Sequence, residues 1–262
     1  FWIGAIILFA VIYGFHASAR PHGDWDAMAI WNVRARMIHG HGFGVLASGI
    51  DTGAHPDYPP LQPLIVATGW HLVGNTTVLV PILLHGAVML TVLTFFRRWP
   101  QLLVGAVILP YGASQYVDLP IALMLLIAAA AYRRCNQLGV GAALAIALLL
   151  KNEGLLIALA FYGVWIIKDR EIPWRAIAIT SVGLALLLVY KKWVGVGNDV
   201  MSSTGMLDRI GDWYRYAVVL VAGVVALVMF GTGALPVLLL GVGLERHKVQ
   251  VDVPLIACGV IL

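Results

Sequence analysis

Apolar runs of helical length, rich in Leu, Ala, Val and Gly and cut by short polar turns, account for nearly all of this chain. They lack the strict alternation that barrel strands need, and most are too long for soluble strands. Of 262 residues, 61% are hydrophobic and 11% charged, and the mean hydropathy is +0.90. A soluble domain carries about a quarter charged residues. The composition therefore argues against a soluble globular domain and predicts an all-α, polytopic membrane protein. One transmembrane domain is expected over residues 1–262. Because the chain opens at Phe1 inside one apolar run and closes at Leu262 inside another, it reads as a piece of a longer protein, cut at both ends.

The net charge is +4 and the pI about 9.2. The basic residues sit in short loops between apolar runs, which is the signature of membrane orientation. The expected partner is a lipid bilayer, with no nucleic acid. Cys135 lies in a polar loop and Cys258 in an apolar run, so no disulfide framework follows.

One long polar interval, residues 22–63, interrupts the pattern. It reads HGDWDAMAIWNVRARMIHG, then a Gly-rich connector, then DTGAHPDYPPLQP. A first span over residues 1–16 precedes it, and residues 18–75 form a first extracytoplasmic loop with interfacial helices. Leu61–Val73 is apolar but has only 13 residues, against about 20 for a comfortable span, so a re-entrant or interfacial helix is expected. Further apolar runs cover residues 77–96, 102–111, 120–132, 140–150, 155–167 and 176–190. Several are short and must tilt or extend into their loops. Residues 216–243 fit one span or two broken ones.

Arg97-Arg98, Arg133-Arg134 and the Lys168, Arg170, Arg175 group mark alternate loops, which the positive-inside rule makes cytoplasmic. Lys191 and Lys192 fall on the other side. Asp24, Asp26, Asp51, Asp57, Asp118, Glu153, Asp199, Asp208 and Asp212 are then all extracytoplasmic, and Asp169 and Glu171 are inside. Carboxylates from three outer loops can converge on one cleft. No internal repeat is visible.

Within 22–63, Ile30, Val33 and Met37 recur at helical spacing beside Trp31, as in a helix lying at headgroup depth. Asp24 and Asp26 precede it, and each can be a cap or a solvated loop residue as well as a reacting group. Asp118, in YVDLP at a span end, is either the N-cap of the next helix or a functional acid, since an acid beside hydrocarbon is costly. Lys151, Asn152 and Glu153 interrupt two apolar runs. They make a turn with a Lys–Glu pair, or supply a cation for an anionic headgroup. Arg34 and Arg36 admit the same reading, or snorkel to the interface. His22, His39, His41 and His55 lack tight metal-ligand spacing, so no metal ligand is assigned. His71 and His85 read as packing residues. Pro59-Pro60 forces extended backbone and then starts a helix.

The order of these features resembles the GT-C glycosyltransferases, membrane enzymes that use polyprenyl-phosphate sugars, and within them the protein O-mannosyltransferase-like and lipid A aminoarabinose transferase-like groups. The residues that carry the resemblance are DWDAMAIWNVRARMI, YPPLQPL, YVDLP and KNEGL, over roughly residues 1–170. It implies a GT-C-like helix bundle in a bacterial inner membrane with an extracytoplasmic active site. It implies that Asp26 is the catalytic base, with Asp24 as the alternative, and that Asp118 is the second-loop acid. The lysine after the fifth span corresponds to Lys151, which would bind the donor phosphate. Beside what the resemblance implies, Arg34 is a second candidate for the phosphate, and Asp57, Tyr58 and Glu153 are candidates for positioning the acceptor or the loop. Many relatives carry adjacent Asp-Glu in the first loop, where this chain has Asp24-Trp25-Asp26.

The implied reaction moves a sugar from a polyprenyl-phosphate donor to a glycan, lipid or protein acceptor, with inversion. Phosphate leaves well when its charge is stabilised, and a carboxylate base helps a hydroxyl or amine attack. No cofactor is required, and a divalent metal is an optional addition. A transporter or flippase without covalent chemistry is the competing reading, and a scaffold subunit a third. Against transport, the acids collect on one side rather than at mid-membrane.

Overall fold

The computed structural model describes residues 2–48, 55–96 and 99–196. Arg97, Arg98, Asp51, Asp199, Asp208, Asp212, Cys258 and the 216–243 segment lie outside the described residues. The fold is all-helical, and among the described residues there is no strand.

In chain order the helices are α1 (Trp2–Ala19), α2 (Val33–His41), α3 (Leu61–Val73), α4 (Leu79–Thr94), α5 (Trp99–Ala113), α6 (Asp118–Arg133), α7 (Gln137–Leu150), α8 (Gly154–Asp169) and α9 (Trp174–Val194). A π-helical turn, Ala27–Asn32, leads into α2, and a 3-10 turn, Phe43–Ala47, follows it. The helix expected from the 30, 33, 37 spacing is present as one uninterrupted helical run over residues 25–41, widened to π-helical geometry across Ala27–Asn32. Helix α3 has the bounds expected from its apolar run.

Helix α6 is the shared wall. Val117, just before it, and Ile121, Leu125 and Ala128 face α7 and α8, while Leu119 and Leu123 face α1, α4 and α5. Its first turn carries Asp118 and its last Arg133, each at the end where the helix dipole favours its charge. Cys135, in the left-handed region at φ 52°, reverses the chain, and Asn136 caps α7 by accepting the Gly139 N–H at 3.0 Å. Helices α7 and α9 touch at Gly141, where a Cβ would come within 2.6 Å of the Ala176 carbonyl oxygen. Thr180 donates to the Gly141 carbonyl and accepts from the Tyr162 hydroxyl. Such close small-residue contacts are how helices associate where lipid removes the hydrophobic driving force.

Successive turns alternate between the two ends of the bundle. The α6–α7 and α8–α9 turns share one end, where Tyr132 donates to Asp169 at 2.7 Å and Lys168 lies 5.2 Å from the Tyr132 ring centroid. The α5–α6 and α7–α8 turns and residues 20–48 and 55–60 share the other. The C-terminal end of α9 also reaches this second end, with Trp193 stacked on Phe43.

Among the described residues one helix, α9, is long and apolar enough to cross a membrane, and 22% of its apolar window is buried. Residues 6–19 of α1, together with α3, α4, α7 and residues 104–113 of α5, are shorter apolar stretches.

Candidate functional site

The polar residues of three connections meet at the second end. The Lys151 ammonium lies 3.0 Å from Asp118 Oδ1 and 3.7 Å from Glu153 Oε1. Lys151 ends α7 in extended conformation, which swings its side chain off the helix axis toward the start of α6. Burial, the largest influence, pulls its pKa down, but Asp118 and Glu153 together carry it above the ordinary lysine value. Next to it, Asn152 donates to Asp57 at 2.6 Å, tying the α7–α8 turn to the segment before α3.

That segment is held from beneath by Arg34. Its two amino groups donate to the carbonyls of Tyr58 at 3.0 Å and His55 at 2.9 Å. Arg34 is 1% exposed, and burial lowers its pKa. It is too buried to snorkel, and two of its guanidinium nitrogens hold the loop. Above it Tyr58 stacks between Trp31 and His55, with ring centroids 5.5 and 4.9 Å away. Burial first, and then Glu153, raise the Tyr58 hydroxyl pKa, so the hydroxyl stays protonated beside the cluster.

The first loop is stitched to the α5–α6 turn. The backbone N–H of Asp24 donates to the Ser114 carbonyl at 3.1 Å, and the Ser114 hydroxyl donates to the Asp24 carboxylate at 2.7 Å. Arg20 pairs with Asp24 at 3.2 Å. Gln115 donates to the Pro21 carbonyl and accepts from Asn32 at 3.0 Å. Gly23 makes this approach feasible: its φ is 73°, and a Cβ there would meet the Ser114 carbonyl oxygen at 2.6 Å.

Asp26 differs from Asp24. Itself helical at φ −59° and ψ −42°, it precedes the π turn and its carboxylate makes no capping bond, so the cap, one of the readings the sequence left open, does not hold. It is partly exposed and has no ion pair among the described residues. It bears electrostatically on Tyr58 and Tyr116, raising both hydroxyl pKa values after burial has done so. Asp118 is also corrected. Val117 is the N-cap of α6, and Asp118 is the first helical residue with its carboxylate turned to Lys151.

The histidines do not gather. His39 meets Trp70 and His71 edge-on, while His55 stacks on Tyr58. His85 is buried, receiving Gln62 at 3.3 Å and bonded to the Pro81 carbonyl at 2.9 Å. Among the described residues no group of three or more His, Cys, Asp or Glu side chains could hold a metal ion.

An apolar groove of about 370 Å³ runs beside the cluster, lined by Phe43, Pro60, Leu64, Leu149, Leu186 and Tyr190 among others. Pro60 follows the Tyr58 segment and Leu149 lies two positions before Lys151, so the groove is at the same end of the bundle as the polar groups. The sequence had not singled out Ser114, Gln115, Asn32 or Tyr190. Their one local signal is a polar side chain in or beside a short turn between apolar runs, as in GASQYVDLP.

No protein-family model matches the chain, and neither does any curated protein or solved structure.

Proposed function

We propose that the chain is an integral membrane glycosyltransferase that moves a sugar from a polyprenyl-phosphate donor to an extracytoplasmic acceptor. The observation that carries this reading is the ion pair of Lys151 with Asp118 at the end of the bundle that also carries the first-loop acids and an apolar groove. A ligand with a polar head and a long apolar tail needs that pairing of surfaces.

A bilayer setting is supported by the exterior. Ile3, Ile7, Val11 and Phe15 project from α1 at 57–75% exposure, and Leu186 and Val189 from α9 are also exposed. His85, Gln62 and Thr180 are buried in turn. Contiguous apolar surface of this kind marks contact with lipid or protein. In this reading α1 and α4–α9 cross the membrane, tilted where short, and α2 and α3 lie along the outer face. Arg133, Arg134, Lys168, Arg170 and Arg175 then belong to the cytoplasmic end.

In the reaction, Asp26 accepts the proton of the acceptor hydroxyl as its oxygen attacks the anomeric carbon. The bond from that carbon to the phosphate oxygen breaks, and the electron pair leaves with the polyprenyl phosphate. Lys151 stabilises that charge. The phosphate competes with Asp118 for the ammonium, so the pair must loosen on donor binding and reform on release.

The test is transfer from a defined polyprenyl-phosphate sugar by purified protein in detergent, compared with Lys151→Met. Robust transfer lost in the variant supports the reading. Absence of transfer, with lipid movement across reconstituted vesicles, favours a flippase.

A further inference from the structure

We propose that Asp57, Asn152, Arg34 and Tyr190 form a subsite for the hydroxyl groups of a neutral sugar, set behind the wall of the apolar groove. The inference rests on the donor class just proposed and adds which sugar chemistry that donor carries.

The four side chains come from four separate elements. Asn152 and Asp57 are joined at 2.6 Å. Arg34 holds the carbonyls on either side of Asp57, at His55 and Tyr58. Tyr190 reaches in from α9 and lines the groove. Each keeps one buried polar atom without a partner: Asp57 Oδ1, Asn152 Oδ1, Arg34 Nε and the Tyr190 hydroxyl. Asp57 and Arg34 are 1% exposed. Buried polar atoms are nearly always paired, so four unpaired ones in one neighbourhood point to a group that enters and satisfies them.

Their chemistry selects that group. Two atoms are acceptors, Asp57 Oδ1 and Asn152 Oδ1, and Arg34 Nε–H is a donor. The Tyr190 hydroxyl donates or accepts. A sugar hydroxyl donates and accepts at once, which fits the mixed set. The one cation and one carboxylate balance, so the subsite offers no net attraction to an anionic or cationic sugar. A phosphate there would face the Asp57 carboxylate, whereas Lys151, the residue before Asn152, holds its ammonium beside Asp118. The head group would therefore set its phosphate at Lys151 and its hydroxyls at Asp57 and Tyr190, with the tail leaving along the groove. The natural barrier to wrong sugars is the unpaired set itself. A site built to bond hydroxyls rejects an analogue lacking one more strongly than an apolar pocket rejects size.

The experiment is binding to the purified full chain in detergent, with three probes: a polyprenyl phosphate alone, the same lipid phosphate carrying a neutral hexose, and one carrying an amino sugar. The neutral form is expected to bind about tenfold tighter than the bare lipid phosphate. Tyr190→Phe, which keeps the ring and the groove wall, should lose roughly fivefold for the hexose form alone, as for one hydrogen bond. A deoxy analogue of the bonded hydroxyl should lose the same factor in the wild type and nothing further in Tyr190→Phe. Asp57→Asn, checked for an unchanged melting temperature, is the second variant and should cost the hexose form likewise. Tighter binding of the amino sugar overturns the subsite, as does an equal loss for the bare lipid phosphate in Tyr190→Phe. Either leaves the transferase reading standing. Failure of the wild type to bind any of the three removes both.

Discussion

Lys151 and Asp118 meet at 3.0 Å across the ends of α7 and α6, 33 positions apart in the chain. The contact joins an ammonium raised above its ordinary pKa to the carboxylate that helps raise it. A lysine with a raised folded pKa contributes stability that is fully present below the unfolded value and is lost as pH rises through the folded one.

The pH dependence follows from that sign. Wild-type turnover should show no basic limb from Lys151 below the usual lysine range. In Asp118→Asn the charge partner is gone, and burial, which lowers the lysine pKa, is less opposed. The basic limb should move downward, and the profile of turnover against pH from 7 to 11 reads it directly. An unmoved limb would separate Lys151 from the phosphate. Lys151→Met should cost about 10²–10³ in turnover, the usual scale for removing a preorganised electrostatic contact, with melting temperature little changed.

The helical class and the limits of α3 were legible because apolar runs and Pro59-Pro60 are local signals. Lys151 and Asp118 stood out as charges inside apolar sequence. What one sequence hides is who pairs with whom. Asn152 finds Asp57 over 95 positions and Gln115 finds Asn32 over 83, and no periodicity encodes either pair. The burial of Arg34 was equally hidden, because its partners are backbone carbonyls that any residue supplies.

Gly23 should tolerate no side chain. Alanine there combines a left-handed φ of 73° with a Cβ 2.6 Å from a backbone oxygen that cannot swing away. A loss of about 1–3 kcal/mol is expected, read as a drop of several degrees in melting temperature. The loop carrying Asp24 and Asp26 would shift with it, so activity should fall in the same variant. Gly42, also at positive φ but with open space around it, is the control, and alanine there should cost stability with less effect on activity.

Sidedness can be read with a native probe. Cys135 is exposed at the end of the bundle opposite the site. In a Cys258→Ser background it should react with an impermeant maleimide only after the cells are opened. A cysteine placed at Ser48, in a chain lacking both native cysteines, should react in intact cells. The reverse pattern would put the Lys151 cluster in the cytoplasm, away from any extracytoplasmic acceptor.

The choice between the two first-loop acids is the sharpest test. Asp24 is occupied by Arg20 and the Ser114 hydroxyl, while Asp26, two residues on and partly exposed, has no such partner among the described residues. A base must be free to take a proton, so Asp26→Asn should lower transfer by about 10²–10⁴-fold. Its stability should hold, because the carboxylate makes no capping bond to lose. Asp24→Asn keeps an oxygen for Ser114 and gives up a surface ion pair worth little, so its rate should stay within a few fold of wild type. Rates from one polyprenyl-phosphate sugar, with melting temperatures alongside, decide it. A dead Asp24→Asn beside an active Asp26→Asn would move the base two residues back and make Ser114 part of its setting. Full activity in both would leave the loop with no base at all, and the covalent reading without its first step.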